Sequence, residues 1–387
     1  MRNLMESFSF ELPTRIEYGI GSLTKLIGEL ALLKAERIVI VTDKGIQKAG
    51  LVDRVTSLLE QTNIRYEVFS NVEPNPKDFN VAEGAELVRS FGAQVIVALG
   101  GGSPIDCAKA IGVLASHGGT EIKAYEGKTA VTKQTIPLIT IPTTSGTGSE
   151  VTFSSVINDT ANNYKMTIKS PMMAAKVAII DPELTLSMPP SVTAATGVDA
   201  LTHAIEAYTA KVSEPISDAL ALYAIELISK NLRTAVYQGD NLEARSGMLM
   251  GSLLAGLAFS HSDVASVHCI AEAMGGMYDT PHGVCNAILL PYVMEYNMDY
   301  CLERYANVAK MMGAQFICQE DGAKTAVKMV KQLTIDVKLP SFRSLGIDPM
   351  DFDVLAENSA KNMSTESNPR PRKKEDYLAV LNKANNE

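Results

Sequence analysis

The feature that most constrains the fold is a change of periodicity partway along the chain. In the first half, short β-branched runs alternate with amphipathic stretches. Arg37 to Val41, Tyr66 to Phe69, Val95 to Leu99 and Leu138 to Ile141 read as strands with helical patterns between them, which predicts a parallel sheet covered by helices. After the segment from Asp181 to Pro190, strand-like runs become scarce. Long Ala/Leu/Met-rich helical windows take over, the first from Val192 to Lys211. A length of 387 residues exceeds what one core usually supports. The expectation is therefore an α/β domain over 1–188 and an all-helical domain over 189–387. The polar, Pro-containing stretch from Met363 to Asp376 reads as a connection before a short terminal helix.

Two loops in the first half suit a dinucleotide. Leu99 to Ala110 runs from an apolar strand through Gly100, Gly101, Gly102 and Ser103 into a helical pattern with Pro104 in its first turn. Glycines admit close backbone approach to an anion, and the helix start offers free amides and a positive dipole end. A tight strand-to-helix turn would look the same. Pro142 to Glu150 is a second loop after a strand, rich in hydroxyls and glycines and placed for phosphate and ribose. Asp43 ends the first strong strand, where a carboxylate accepts from a ribose diol and disfavours a 2′-phosphate, pointing to NAD. It could equally cap a helix.

The second half carries metal-ligand chemistry. Asp199 and His203 are four apart in a helical window and project from one face. His268 lies in a further helical window, and His282 follows a Pro-containing turn. Three imidazoles and a carboxylate suit Fe(II) or Zn(II), although any single histidine here has an ordinary structural reading as well.

Composition excludes other classes. A net charge of −9, with only Arg370, Arg372, Lys373 and Lys374 as a basic cluster, argues against nucleic acid. No apolar run reaches bilayer-spanning length, and residues 1–18 lack a signal-peptide pattern, so a cytoplasmic protein with no membrane partner is expected. Five scattered cysteines, Cys107, Cys269, Cys285, Cys301 and Cys318, read as reduced thiols.

Taken in order, Glu17 to Gly21, the Gly100 to Ser103 loop, Pro142 to Glu150, Ile180 to Leu184, the Asp199/His203 pair, Ala255 to Ser260, Pro281 to Gly283 and Asn368 to Arg370 make the chain similar, nearly end to end, to the iron-containing or group III alcohol dehydrogenases. The resemblance implies the dehydroquinate-synthase-like two-domain fold with the metal in a cleft. It implies hydride transfer between NAD(H) and a small primary alcohol or aldehyde at Fe(II), with Zn(II) as the alternative, in a homodimer or higher homo-oligomer, for which an edge strand near Phe8 to Leu12 is the expected join. Metal ligands transfer to Asp199, His203, His268 and His282. Cofactor contacts transfer to Asp43, Gly101, Gly102, Ser103, Thr143, Thr144 and Thr147, and more weakly to Lys165 and Leu184. Two positions depart from the family: Glu272 stands where many members carry a histidine, and His261 where an asparagine is usual. These two are the candidates for proton relay or for reading a polar group on the substrate. A glycerol-dehydrogenase-like reductase of polyols or functionalised aldehydes is the first alternative; His203 and the Pro142 to Glu150 loop weigh against it. A non-catalytic nucleotide-binding protein is the distant one, and it should have lost ligands that are all present here.

Overall fold

A computed structural model describes residues 7–387. The chain forms two compact units. The first holds Glu11–Thr144 and Ser149–Met188; the second holds Pro189–Glu387, Ser145–Gly148 and the described residues before Glu11.

In the first unit the elements run β1 (Arg15–Tyr18), α1 (Leu26–Leu32), β2 (Arg37–Val41), α2 (Lys44–Lys48), α3 (Leu51–Leu59), β3 (Arg65–Phe69), α4 (Asp78–Phe91), β4 (Val95–Gly100), α5 (Gly102–His117), β5 (Leu138–Pro142), β6 (Ser154–Asp159), β7 (Tyr164–Lys169) and β8 (Val177–Ile180). Six strands make a parallel sheet in the order β1-β8-β5-β4-β2-β3, and β6 with β7 form an antiparallel pair. Because helices cover both faces, the central strands are apolar throughout and alternate which face they supply. Val39, Val41, Ile96 and Ala98 pack with Val81, Ala85, Val88 and Ile111 of α4 and α5. Their neighbours Ile38, Ile40, Val97 and Leu99 pack with Leu26, Leu30, Val52 and Val55 of α1 and α3.

All four strands read from the sequence are present, each within a residue of its predicted bounds. Phe8 to Leu12, expected to join subunits, carry no strand pairing within the chain, whose own sheet has β1, paired with β8, at one edge.

The second unit is helical: α6 (Pro190–Thr209), α7 (Pro215–Tyr237), α8 (Leu242–Ser262), α9 (Ser266–Tyr278), α10 (His282–Asn297), α11 (Leu302–Met311), α12 (Gln319–Asp336), α13 (Phe352–Lys361) and α14 (Lys374–Asn386). One apolar cluster, including Leu201, Ile205, Ile228, Met248, Ile270, Leu289 and Tyr305, fills it. Ser145–Gly148 joins this unit through close backbone contact. Gly148 has φ +58°, and a Cβ on it would meet Gly256 Cα at 2.6 Å. The axes of α8 and α9 turn by 99° at Asp263, which holds a left-handed φ of +66°. Its carboxylate accepts from the hydroxyls of Ser364 (3.0 Å) and Ser367 (2.9 Å). Among the described residues no single helix is long and apolar enough to cross a membrane.

Candidate metal and cofactor sites

Helix α6 places Asp199, His203 and Glu206 along one face at i, i+4 and i+7. All three are buried, an unusual environment for carboxylates that calls for partners. Helix α9 supplies His268, and His282 is the first residue of α10. The start of α10 lies close to α6, since a Cβ on Gly283 would meet Ala195 O at 3.1 Å and Asp199 Cβ at 3.3 Å. The potential ligand atoms of Asp199, His203, His268 and His282 all lie within 4.8 Å of one another. The ring centroids of His203 and His268 are 4.4 Å apart, and those of His268 and His282 are 5.3 Å apart.

The donor chemistry tests whether a cation fits. His268 Nδ1 donates to Glu206 Oε2 at 2.6 Å, which leaves Nε2 as a lone pair aimed at His203 Nε2, 2.9 Å away. Asn286, fully buried on α10, points its Nδ2 at Asp199 Oδ1 (2.7 Å), His268 Nε2 (3.0 Å) and His282 Nε2 (3.1 Å). The carboxylate fixes which way this amide faces, because the opposite orientation would set oxygen against oxygen. An amide nitrogen brings only two protons to three acceptors. The point therefore has a surplus of buried lone pairs, which suits a divalent cation.

Electrostatics agree. Burial, then the neighbouring His268, holds His203 well below the usual histidine range, so it is neutral and able to ligate. Burial also disfavours charge on His268, but the bond to Glu206 and the charges of Glu206, Asp199 and Glu272 outweigh it and raise its pKa. Glu206 further accepts from the backbone N–H of Ala265 (2.9 Å) and Val267 (2.7 Å), capping α9 where the sequence offers no side-chain cap. Glu206, Asn286 and Phe259, whose ring stacks on His203 at 4.5 Å, escaped the sequence reading. For Glu206 a signal existed: it follows His203 by three residues on the same face.

The two departures from the family pattern lie differently. His261 sits at the end of α8, where Nδ1 donates to Leu257 O (2.9 Å) and the ring stacks on Phe10 at 3.9 Å; it is not one of the four clustered residues. Glu272 is half-buried one turn beyond His268 on α9 and accepts from Asn362 Nδ2 at 2.6 Å.

In the first unit, the ends of three neighbouring strands bring the cofactor candidates to one sheet edge. Asp43 follows β2, Gly101, Gly102 and Ser103 follow β4, and Thr143 and Thr144 follow β5. Gly101 caps α5 without a side chain, and Thr143 N donates to Gly100 O at 3.0 Å. Asp43 also has the structural role the sequence left open, since its Oδ1 accepts from Ile46 N at 2.9 Å as the cap of α2. Thr147 belongs to the other unit. Lys165, buried on β7, donates to Asn75 Oδ1 at 2.8 Å, and Leu184 packs in the core between the sheet and α1/α3.

A buried network not anticipated from sequence braces the second loop. Lys109 Nζ donates to Ser149 Oγ (2.9 Å), Thr152 Oγ1 (2.8 Å) and Ser154 O (2.8 Å), while Asp106 accepts from Ser149 Oγ and Val156 N. Burial pulls the Lys109 ammonium down to about 8 and pushes the Glu150 carboxyl up to about 7.

Comparison with known proteins agrees with this geometry. The family model described as iron-containing alcohol dehydrogenase matches residues 13–182, and that of the Fe-containing alcohol dehydrogenase family, C-terminal, matches 193–385. The chain is 40% identical over 382 residues to 1,3-propanediol dehydrogenase of Klebsiella pneumoniae, covering 97% of this chain and 98% of that one. It is also 40% identical over 381 residues to choline dehydrogenase of Bacillus subtilis (strain 168), covering 97% and 95%. A crystal structure of 1,3-propanediol oxidoreductase superposes with a TM-score of 0.95 at 40% identity, covering 98% of this chain and all of that one. On these matches the chain belongs to the iron-containing alcohol dehydrogenase family.

Proposed function

We propose that the protein is a metal-dependent, NAD-linked dehydrogenase acting on a small primary alcohol or the corresponding aldehyde. The observation that carries this reading is the convergence of Asp199, His203, His268 and His282 within 4.8 Å, with the His268 tautomer set by Glu206. These four residues would hold Fe(II), with Zn(II) as the alternative. When bound, the ion supplies Lewis-acid polarisation of a substrate oxygen, and the nicotinamide supplies the hydride acceptor or donor.

The chain's own residues do the positioning. Glu206 orients His268, and Asn286 bonds to Asp199 and His268, so the ligand set is organised in advance. Gly101, Gly102 and Ser103 at the start of α5 seat the pyrophosphate, and Thr143, Thr144 and Thr147 offer hydroxyls to phosphate and ribose. Asp43 faces the adenosine ribose, which favours NAD over NADP. The relatives support the substrate class, since their names specify a diol and an amino alcohol.

The test is NAD(H) turnover with a panel of short alcohols, diols and aldehydes, using protein stripped by chelator and reloaded separately with Fe(II) and Zn(II). Activity that returns only with metal is expected. Metal-independent turnover, or none with any ion, would overturn the reading.

A further inference from the structure

The four candidate ligands come from three helices, α6, α9 and α10, and one short segment hydrogen-bonds at or near an end of each. Met363–Ser367 forms a short 3₁₀ turn, followed by the buried Asn368. Ser367 O accepts from Lys211 N, just past the end of α6, at 2.9 Å. Asn368 and Asn297, the last residue of α10, exchange two amide bonds of 2.9 and 3.0 Å. Thr365 Oγ1 donates to Sγ of Cys269, the residue after His268, at 3.4 Å. It also lies 2.9 Å from the Tyr377 hydroxyl, which is 3.2 Å from Oγ of Ser266 at the start of α9.

A further attachment is Asp263, at the corner between α8 and α9. Its φ of +66° with ψ of 173° lies in a backbone region that glycine occupies freely and other residues only under strain. A corner alone would be better served by glycine. The aspartate side chain supplies what glycine lacks: Oδ1 accepts from Val264 N (3.0 Å) and Ser364 Oγ (3.0 Å), and Oδ2 accepts from Ser367 Oγ (2.9 Å). Such strain persists only where the surroundings over-determine it, and it concentrates at functional sites. The corner sets the direction of two groups that embrace one imidazole. Phe259, four residues before it, stacks on His203 with ring centroids 4.5 Å apart. His268, five residues after it, brings its Nε2 to 2.9 Å from His203 Nε2.

We infer that Asp263 is a positioning residue for the metal site. Through Ser364 and Ser367 it fastens the corner to the segment that also holds the ends of α6 and α10, and so fixes His268 relative to His203 and His282. This rests on the metal-site reading above.

The experiment measures the affinity of the full chain for Fe(II) and Zn(II) by competition with a chelator. Asp263→Gly is the informative variant, because glycine relieves the strain and keeps the fold while the side-chain bonds are lost. Its affinity is expected to fall by about tenfold or more, with helix content unchanged. Asp263→Asn keeps an acceptor at Oδ1, and its Nδ2 can donate to Ser367 Oγ, so affinity is expected to return to within about threefold of the wild type. Leu333→Ala, buried in the apolar cluster on α12, lowers stability and is expected to leave affinity within about threefold. Affinity in Asp263→Gly close to that of the wild type, or an equal loss in Leu333→Ala, overturns the inference and leaves the metal-site reading intact. A second measurement needs no ion. In chelator-stripped protein, hydrogen exchange in peptides spanning α9 and α10 is expected to quicken in Asp263→Gly and not in Asp263→Asn. Unchanged exchange there overturns the inference as well. If the wild type binds neither ion, the metal-site reading fails instead, and the exchange comparison decides by itself whether Asp263 positions these helices.

Discussion

Glu206 Oε2 lies 2.6 Å from His268 Nδ1, and the same carboxylate receives two backbone amides at the start of α9. One side chain thus sets the tautomer of a proposed ligand and satisfies a helix end. Glu206→Gln keeps the shape but cannot hold the imidazole as a charged acceptor does. The expected result is a loss of about 10- to 100-fold in metal affinity, read by competition with a chelator, with the helix content unchanged.

Asp43 caps α2 and is proposed to face the adenosine ribose, and one substitution separates the two roles. Asp43→Ala removes the cap of α2, at a cost of about 1 kcal/mol seen as a lower thermal midpoint. It is also expected to narrow the preference for NAD over NADP, read as the ratio of kcat/KM for the two cofactors. A midpoint drop with an unchanged ratio would leave the cap as the only duty.

Glu150 should make stability depend on pH. Burial raises its carboxyl from 4.5 to about 7, so the native state holds the proton over a range in which the unfolded chain has released it. The resulting stabilisation is complete below pH 4.5 and is lost as pH rises through about 7, for a total of about 3 kcal/mol at about 1.4 kcal/mol per unit. Glu150→Gln should flatten this part of the profile. Denaturant midpoints of wild type and variant between pH 4.5 and 8 provide the check.

Gly148→Ala should destabilise the helical unit. Its φ of +58° disfavours a side chain, and the new methyl would strike Gly256 Cα at 2.6 Å. The expected cost is about 2–4 kcal/mol, measured by chemical denaturation. A change below about 0.5 kcal/mol would mean that the loop moves away freely.

His261→Ala should leave kcat within a few-fold and lower stability by about 1 kcal/mol, because the ring bonds to Leu257 O and stacks on Phe10. A loss of kcat of about 100-fold without destabilisation would support the relay role expected from sequence.

How far the sequence can be read follows from how local each signal is. The Asp199/His203 pair was legible because four-residue spacing on a helix is geometry in itself, and the Gly100 to Ser103 loop because strand, glycines and helix are contiguous. Glu206 was harder, since its partner arrives 62 positions later. Asn286 looks like an ordinary helix residue until three ligands surround it. The short strands β1 and β8, four residues each, carry too little periodicity to stand out alone.

The corner at Asp263 has a consequence for inheritance of change. Its carboxylate ties the break between α8 and α9 to Ser364 and Ser367, in the segment that also begins with Asn362. A substitution there, nearly a hundred residues downstream, can re-aim His268 and Glu272 together without touching either. Drift in this short stretch is thus a route by which the aim of His268 diverges among descendants while Asp199, His203, His268 and His282 all stay the same.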